Sequence, residues 1–155
     1  MDFKINSSIV SISKNKKNIY IAINIDEGNK YKVGAIKLKG NLPSSINLSD
    51  LEEGVIIKPG EIFNRSKLNV SNTNISKKLG NYGYAFANVS PVPNVDKAQA
   101  TVDFTFFIDQ GKKIYVRRIN IIGNEKTKDE VIRRELRQLE SSWFSQENID
   151  RSKTR

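Results

Sequence analysis

Cations dominate the side chains available for chemistry. Twenty-six Lys and Arg stand against 17 Asp and Glu, a formal charge of +9, and the 155 residues include no His and no Cys. Without Cys there is no thiolate nucleophile, no disulfide framework and no thiolate-held zinc or iron–sulfur centre. Without His the commonest general base and metal ligand are missing, and a Ser-His-Asp triad is impossible. The remaining carboxylates form no paired motif that would frame a cleft. No catalytic, cofactor-binding or metal-binding residue is therefore expected, and no cofactor. A chain without Cys suits any redox compartment.

The cations form small groups at Lys14, Lys16 and Lys17, at Lys112, Lys113, Arg117 and Arg118, and at Arg133, Arg134 and Arg137. No glycine-rich phosphate loop and no RNA-recognition signature accompanies them. The chain also holds 18 Lys, 17 Asn and 20 Ile. These residues share A/T-rich codons, so much of the charge reads as compositional background on solvated faces. An acidic partner surface or anionic lipid is the next reading, and nucleic acid is not expected as a partner. Two other functions stand as alternatives: a basic domain for nucleic acid or anionic surfaces, and a passive structural spacer. No apolar run exceeds about five residues, against roughly 18–20 for a membrane-spanning helix. The start, MDFKINSS, lacks a basic stretch followed by an apolar core, so it is not read as a secretory signal.

The elements that position these groups are visible because the chain repeats itself. Residues 21–41, IAINIDEGNKYKVGAIKLKGN, align without a gap on residues 104–124, FTFFIDQGKKIYVRRINIIGN, at an offset of 83. Asp26 meets Asp109, Gly28 meets Gly111, Val33 meets Val116, Ile36 meets Ile119, and Gly40-Asn41 meets Gly123-Asn124. Phe63 and Phe144 also correspond, each just before a helix cap.

One full period shows the order β-α-α-β-β, a small sheet with two helices on one face. Residues 31–39 alternate as a strand, with Val33, Ala35 and Lys37 on one face and Gly34, Ile36 and Leu38 on the other. A short helix spans about 45–53 and ends at Gly54, read as its C′ glycine. Pro59-Gly60 turns the chain into a helix of about 65–81, capped by Asn64 or Ser66, with Leu68, Ile75 and Leu79 on one face. Strands follow at 86–95 and 101–108. The ends are part-periods. Residues 3–12 and 18–25 form a hairpin matching the last two strands. Residues 115–122 match the first strand. Thr127 to Glu130 reads as a capping box opening a helix of about 128–139, with Val131, Ile132, Leu136 and Leu139 as its apolar side. Ser145 caps another helix. The expected division is residues 1–28 as a C-terminal hairpin, 29–111 as a complete repeat, and 112–155 as the β-α-α part of the next.

The strings YKVGAIKLKGN, IKPGEIFNRSKL, KKLGNYGYAFANV and YVRRINIIGNEKTKDEVIRRELRQLE resemble the polypeptide-transport-associated (POTRA) repeats of the BamA family of outer-membrane protein assembly factors. The resemblance covers essentially the whole chain, in the register of the end of a third repeat, all of a fourth and the start of a fifth. Residues 115–140 carry it most strongly, through Gly-Asn followed by a helix of the V-x-R-R-E-x-R-x-x-E type. It implies an α+β fold of tandem repeats, each β-α-α-β-β with a three-stranded mixed sheet and two helices on one face. It also implies a non-enzymatic periplasmic segment at the outer membrane, attached through a barrel that these residues do not include. The implied partners are unfolded outer-membrane proteins and accessory lipoproteins, BamD in particular. Arg133 and Glu140 match the family's BamD-contacting positions, where an arginine fork suits a carboxylate across an interface.

Sheet edges suggest how clients bind, because an edge can accept a strand from another chain. Strand 86–95 carries Pro91 and Pro93, which confine it to an edge and partly block that edge. Its counterpart, FKINSSIVSIS, has no proline. Phe3, Ile5, Ile9 and Ile12 therefore mark the edge expected to take an extended client strand.

Overall fold

The computed structural model describes residues 4–154. The middle of the chain folds as one β-α-α-β-β unit: β3 (Lys32–Gly40), α1 (Leu48–Glu52), α2 (Arg65–Asn81), β4 (Asn88–Asp96) and β5 (Thr101–Asp109). It is preceded by the hairpin β1 (Lys4–Ile12) and β2 (Ile19–Asp26). It is followed by β6 (Tyr115–Val116), α3 (Asp129–Glu135), β7 (Ser142–Trp143) and α4 (Gln146–Lys153).

In the middle sheet β5 is central, parallel to β3 and antiparallel to β4. Period-two alternation along β5 sends Val102, Phe104, Phe106 and Ile108 into the core. There they meet Leu51 of α1 and Leu68, Ile75 and Leu79 of α2. Ser71 is fully buried on the same helix face. Its hydroxyl donates to Lys67 O (2.8 Å) and accepts from the backbone N–H groups of Ile56 (3.0 Å) and Ile57 (3.3 Å), so the segment between the helices has its buried donors satisfied.

Simple alternation along β3 does not hold. Val33 pairs with Val102 and Ile36 with Phe104, so three steps on β3 match two on β5. This bulge turns Val33, Ile36 and Leu38 toward the core together. Asp103 secures it by accepting the Ala35 N–H at 2.6 Å. A Cβ at Gly34 would lie 2.0 Å from that same carboxylate oxygen.

Three expected elements are shorter or built differently. The first helix is Leu48–Glu52 rather than 45–53, and Gly54 is not left-handed. Its bare Cα instead admits α2, since a Cβ there would lie 3.4 Å from Ile75 N. The helix expected over 128–139 is Asp129–Glu135, with Lys128 at its N-cap and no side-chain capping bond, so the Thr127–Glu130 capping box does not form. Helical periodicity is overridden after Glu135 by Gln138. This buried side chain donates to Leu139 O, Ser142 Oγ and Trp143 O and accepts from Ser145 N, folding 136–141 into a loop ahead of β7. The strand expected over 115–122 is regular only at Tyr115–Val116. Its counterpart β3 is held by β5, and the equivalent of β5 would fall beyond residue 155.

Candidate functional site

Backbone geometry repeats with the sequence. Asp26 Oδ1 accepts from Gly28 N and Asp109 Oδ1 from Gly111 N, both at 3.1 Å, with the glycines at φ +64° and +65°. Val33 O accepts from Gly60 N and Val116 O from Ser141 N, both at 2.7 Å. Tyr31 O accepts from Phe63 N (2.8 Å) and Ile114 O from Phe144 N (3.0 Å). The left-handed position held by Gly60 (φ +86°) is held by Ser141 (φ +55°) in the last segment. That turn places Glu140.

Arg133 and Glu140 meet there, with each other. From α3, Arg133 Nε donates to Asp129 Oδ2 (2.5 Å), Nη1 to Glu140 Oε1 (2.9 Å) and Nη2 to Ile119 O (3.0 Å). Glu140 Oε1 also accepts from Ile119 N at 2.8 Å. One guanidinium and one carboxylate thus tie α3, the strand-like segment at Ile119 and the turn before β7. The Ile119 N–H first, and Arg133 second, hold the Glu140 carboxyl below its ordinary range. Asp129 first, and Glu140 second, raise Arg133. Both side chains are 38% exposed, so water and salt screen the pair. Glu140 Oε2 accepts no hydrogen bond among the described residues.

The hairpin presents a different surface. Phe3 lies outside the described residues. Ile5, Ile9 and Ile12 stand on β1 and all are exposed. Pairing of Ile5 with Ile25, Val10 with Ile21 and Ile12 with Ile19 puts these six on one face, while Ile9 pairs with Ala22 on the other. Among the described residues the outer edge of β1 has no strand beside it. On β4, Pro91 and Pro93 pair with Phe106 and Phe104 in an unbroken register. Proline has no N–H to give, so both must sit where the N–H would point away from β5. The outer edge of β4 therefore lacks two successive donors. At the 83-residue offset the corresponding β1 residues are Ser8, opposite Ile23, and Val10, opposite Ile21.

A third feature joins the middle unit to the last segment. Asn81 Oδ1 accepts from Glu147 N (2.8 Å) at the start of α4, and Lys77 reaches Asp150 (3.4 Å). Gly80 makes the helix contact possible: a Cβ would lie 2.9 Å from Gln146 Cβ and 3.6 Å from the Phe144 ring. The contact made at Gly80 and the role of Gln138 both escaped sequence reading. The clue for Gln138 was a polar residue where the aligned position in the middle unit is the buried Ile57.

The model of the POTRA family, described as a surface antigen variable number repeat, matches residues 31–111 and 114–155. The chain is 36% identical over 156 residues to the outer membrane protein assembly factor BamA of Neisseria meningitidis serogroup B (strain ATCC BAA-335 / MC58), covering 99% of this chain and 19% of that protein. It is 34% identical over 152 residues to the BamA of Buchnera aphidicola subsp. Acyrthosiphon pisum (strain APS), covering 97% and 24%. The chain thus spans no more than about a quarter of the length of these curated relatives. Among solved structures, the crystal structure of Haemophilus influenzae BamA POTRA3-5 superposes with a TM-score of 0.84 at 28% identity, over 98% of this chain and 59% of that one.

Proposed function

The chain belongs to the POTRA family, and from that premise we propose that it is a periplasmic repeat segment of an outer-membrane protein assembly factor. Residues 1–28 would close one repeat, 29–111 form the next, and 112–155 open a third. Attachment to the outer membrane would come from a β-barrel elsewhere in the full-length protein. The work in this reading is binding and positioning, not catalysis.

The observation that supports client binding is the contrast between two equivalent edges. β4 has lost two outward donors to Pro91 and Pro93, whereas β1 keeps them at Ser8 and Val10. An unfolded β-barrel protein adding a strand to β1 would be held by backbone hydrogen bonds, which tolerate sequence variety. The test copies the block of β4 onto β1 with Ser8→Pro and Val10→Pro together. These positions spare the β1–β2 ladder, whereas proline at Ile9, opposite Ala22, would remove a donor pointing at β2. Crosslinking of an unfolded outer-membrane protein to β1 should fall several-fold. Undiminished crosslinking with the hairpin intact would refute the assignment.

A second surface follows from Arg133 and Glu140. We propose that this exposed corner docks an accessory lipoprotein, BamD by resemblance to the family. Because Arg133 is held within the chain, the partner's own cation would approach Glu140 through Oε2. Glu140→Lys should abolish co-purification with the lipoprotein while the circular dichroism spectrum stays unchanged. Binding that survives this charge reversal would remove the corner from the interface.

A further inference from the structure

The middle sheet has two edges, β4 and β3, and only β4 is blocked by proline. The prolines also fix the phase of the whole sheet. Because the backbone at Pro91 and Pro93 points away from β5, their partners Phe106 and Phe104 turn N–H and C=O toward β3. In a parallel ladder such a residue bonds to the two neighbours of its Cα partner. Lys37 and Lys39 therefore bond to β5, and Ile36 and Leu38 point outward. Ahead of the bulge the same phase turns Val33 outward. There the chain covers its own edge: Val33 N donates to Glu61 O at 2.8 Å and Val33 O accepts from Gly60 N at 2.7 Å. Beyond the bulge this cover ends. Ile36 and Leu38 each direct a donor and an acceptor outward, and among the described residues no other element bonds to them. Every residue of this edge and its surroundings belongs to the complete middle unit.

The side chains along the open stretch differ by face. Lys37 and Lys39 are exposed on the face away from the helices, beside Thr105 and Phe107 of β5. Neither forms an ion pair among the described residues. Asp103, two positions before Thr105, is taken up by the Ala35 N–H. On the other face, Leu38, Leu42, Pro43, Ile46 and Leu48 supply the apolar side of an open hollow of about 450 Å³.

We infer that the 36–40 stretch of β3 takes an extended segment of a partner protein in which acidic and aliphatic residues alternate. A strand laid there exchanges hydrogen bonds with Ile36 and Leu38. Its residues opposite Ile36 and Leu38 send side chains toward the hollow, and those opposite Lys37 and Lys39 stand beside two cations. Aliphatic groups at the first positions and carboxylates at the second satisfy both faces at once. A segment alternating with Lys or Arg would set like charges directly opposite each other, which is unfavourable. An anionic surface would meet the lysines and leave the backbone donors unmet. The edge lies on a different unit from β1, and its charge gives it a preference that backbone pairing alone lacks.

The test uses the 155-residue chain and a short, end-blocked peptide of alternating Val and Glu, with the Val-Lys counterpart as control. Amide exchange read by nuclear magnetic resonance should slow several-fold at Ile36 and Leu38 when the Val-Glu peptide saturates the chain. Lys37→Glu together with Lys39→Glu should weaken the Val-Glu peptide roughly tenfold and strengthen the Val-Lys one. Both side chains are exposed, so this variant keeps the fold. Leu38→Pro removes an outward donor and spares the β5 ladder, as Pro91 and Pro93 do on β4, and should weaken the peptide as well. Equal binding of the two peptides would overturn the inference. So would protection of Ser8 and Val10 on β1 in place of Ile36 and Leu38, or binding that survives the charge reversal. Binding of phosphatidylglycerol vesicles that needs Lys37 and Lys39, with no protection of Ile36 and Leu38 by the peptide, would give the lysines to a lipid surface and overturn it too.

Discussion

Strands β2 and β5 are written in the same pattern and, from Ile19 to Asn24 of β2, paired in the same register, yet their burial is opposite. Ile23 and Phe106 are equivalent, each opposite the same position of its hairpin partner. Phe106 is 0% exposed and Ile23 is 53% exposed. Alternation and turn chemistry decide which residues share a face and how two strands pair. They do not decide whether that face is covered. In the middle unit α1 and α2 provide the cover. At the hairpin no element among the described residues does. The apolar face of β1–β2 is therefore exposed among the described residues, although its pattern is that of a core strand.

The sharpest way to break this comparison is to truncate both residues. Phe106→Ala should cost about 3–5 kcal/mol, the range for removing a large aromatic side chain from a packed core. Ile23→Ala should cost a small fraction of that in the isolated monomer. Urea denaturation followed by far-ultraviolet circular dichroism would measure both. Similar losses would mean that the hairpin face is covered in solution at the concentration used, and its dependence on dilution would then identify the cover.

The next largest effect concerns how the middle unit holds the last segment. Gly80→Val inserts a branched side chain where even a Cβ meets Gln146 Cβ at 2.9 Å. Overpacking of this kind typically costs about 1–3 kcal/mol. Hydrogen exchange should rise along Gln146–Lys153 while the β5 amides stay protected. Loss of protection in both regions together would show that the two units unfold as one.

The middle unit was the most legible part of the sequence because three local signals agreed there: alternation, helical spacing and turn chemistry. Asn64 caps α2 by accepting from Ser66 N and Lys67 N, and Ser145 caps α4 through Asn148 N, both as the residue types suggest. What escaped notice depended on partners distant in sequence. The β3 bulge needs Asp103, 68 residues from Ala35. The end of α3 is set by the bonds of Gln138 in the following loop, which periodicity cannot see. Arg133 was legible as a functional candidate through family resemblance. Its commitment to Asp129, Glu140 and the Ile119 carbonyl was not, because a chain folded back on itself brings those acceptors together.

Ser141 tests the comparison between the middle unit and the last segment at a single backbone position. It holds φ +55° where the middle unit has Gly60 at +86°. A left-handed conformation costs a non-glycine residue about 1–2 kcal/mol, partly returned by the greater freedom that glycine loses on folding. Ser141→Gly should therefore stabilise the last segment by about 0.5 kcal/mol, and Gly60→Ser should destabilise the middle unit at least as much. Thermal melts of the two variants read these signs. A destabilising Ser141→Gly would show that the serine side chain contributes contacts that outweigh its backbone strain.

The smallest effect belongs to a feature of the last segment that the middle unit lacks. The position aligned with Glu140 is Pro59, so the corresponding turn has no carboxylate at that position. Because the folded state holds the Glu140 carboxyl below its ordinary value, its contribution to stability is fully present above the unfolded carboxylate pKa. It is lost as pH falls through the lower, folded value. Asp150, on α4, is held low as well, chiefly by Gln146, so acid acts on this segment through more than one group. The difference between the parent chain and Glu140→Gln isolates the clamp. Trp143, the only tryptophan, stands on β7 three residues beyond Glu140 and reports on this segment alone. The Trp143 melting midpoints of the two proteins should be separated at neutral pH and converge in acid, with the separation shrinking as salt is added. A constant separation across the acid range would mean that ionisation of Glu140 is not what the substitution removes, and that the charged clamp adds nothing to the difference between the two repeats.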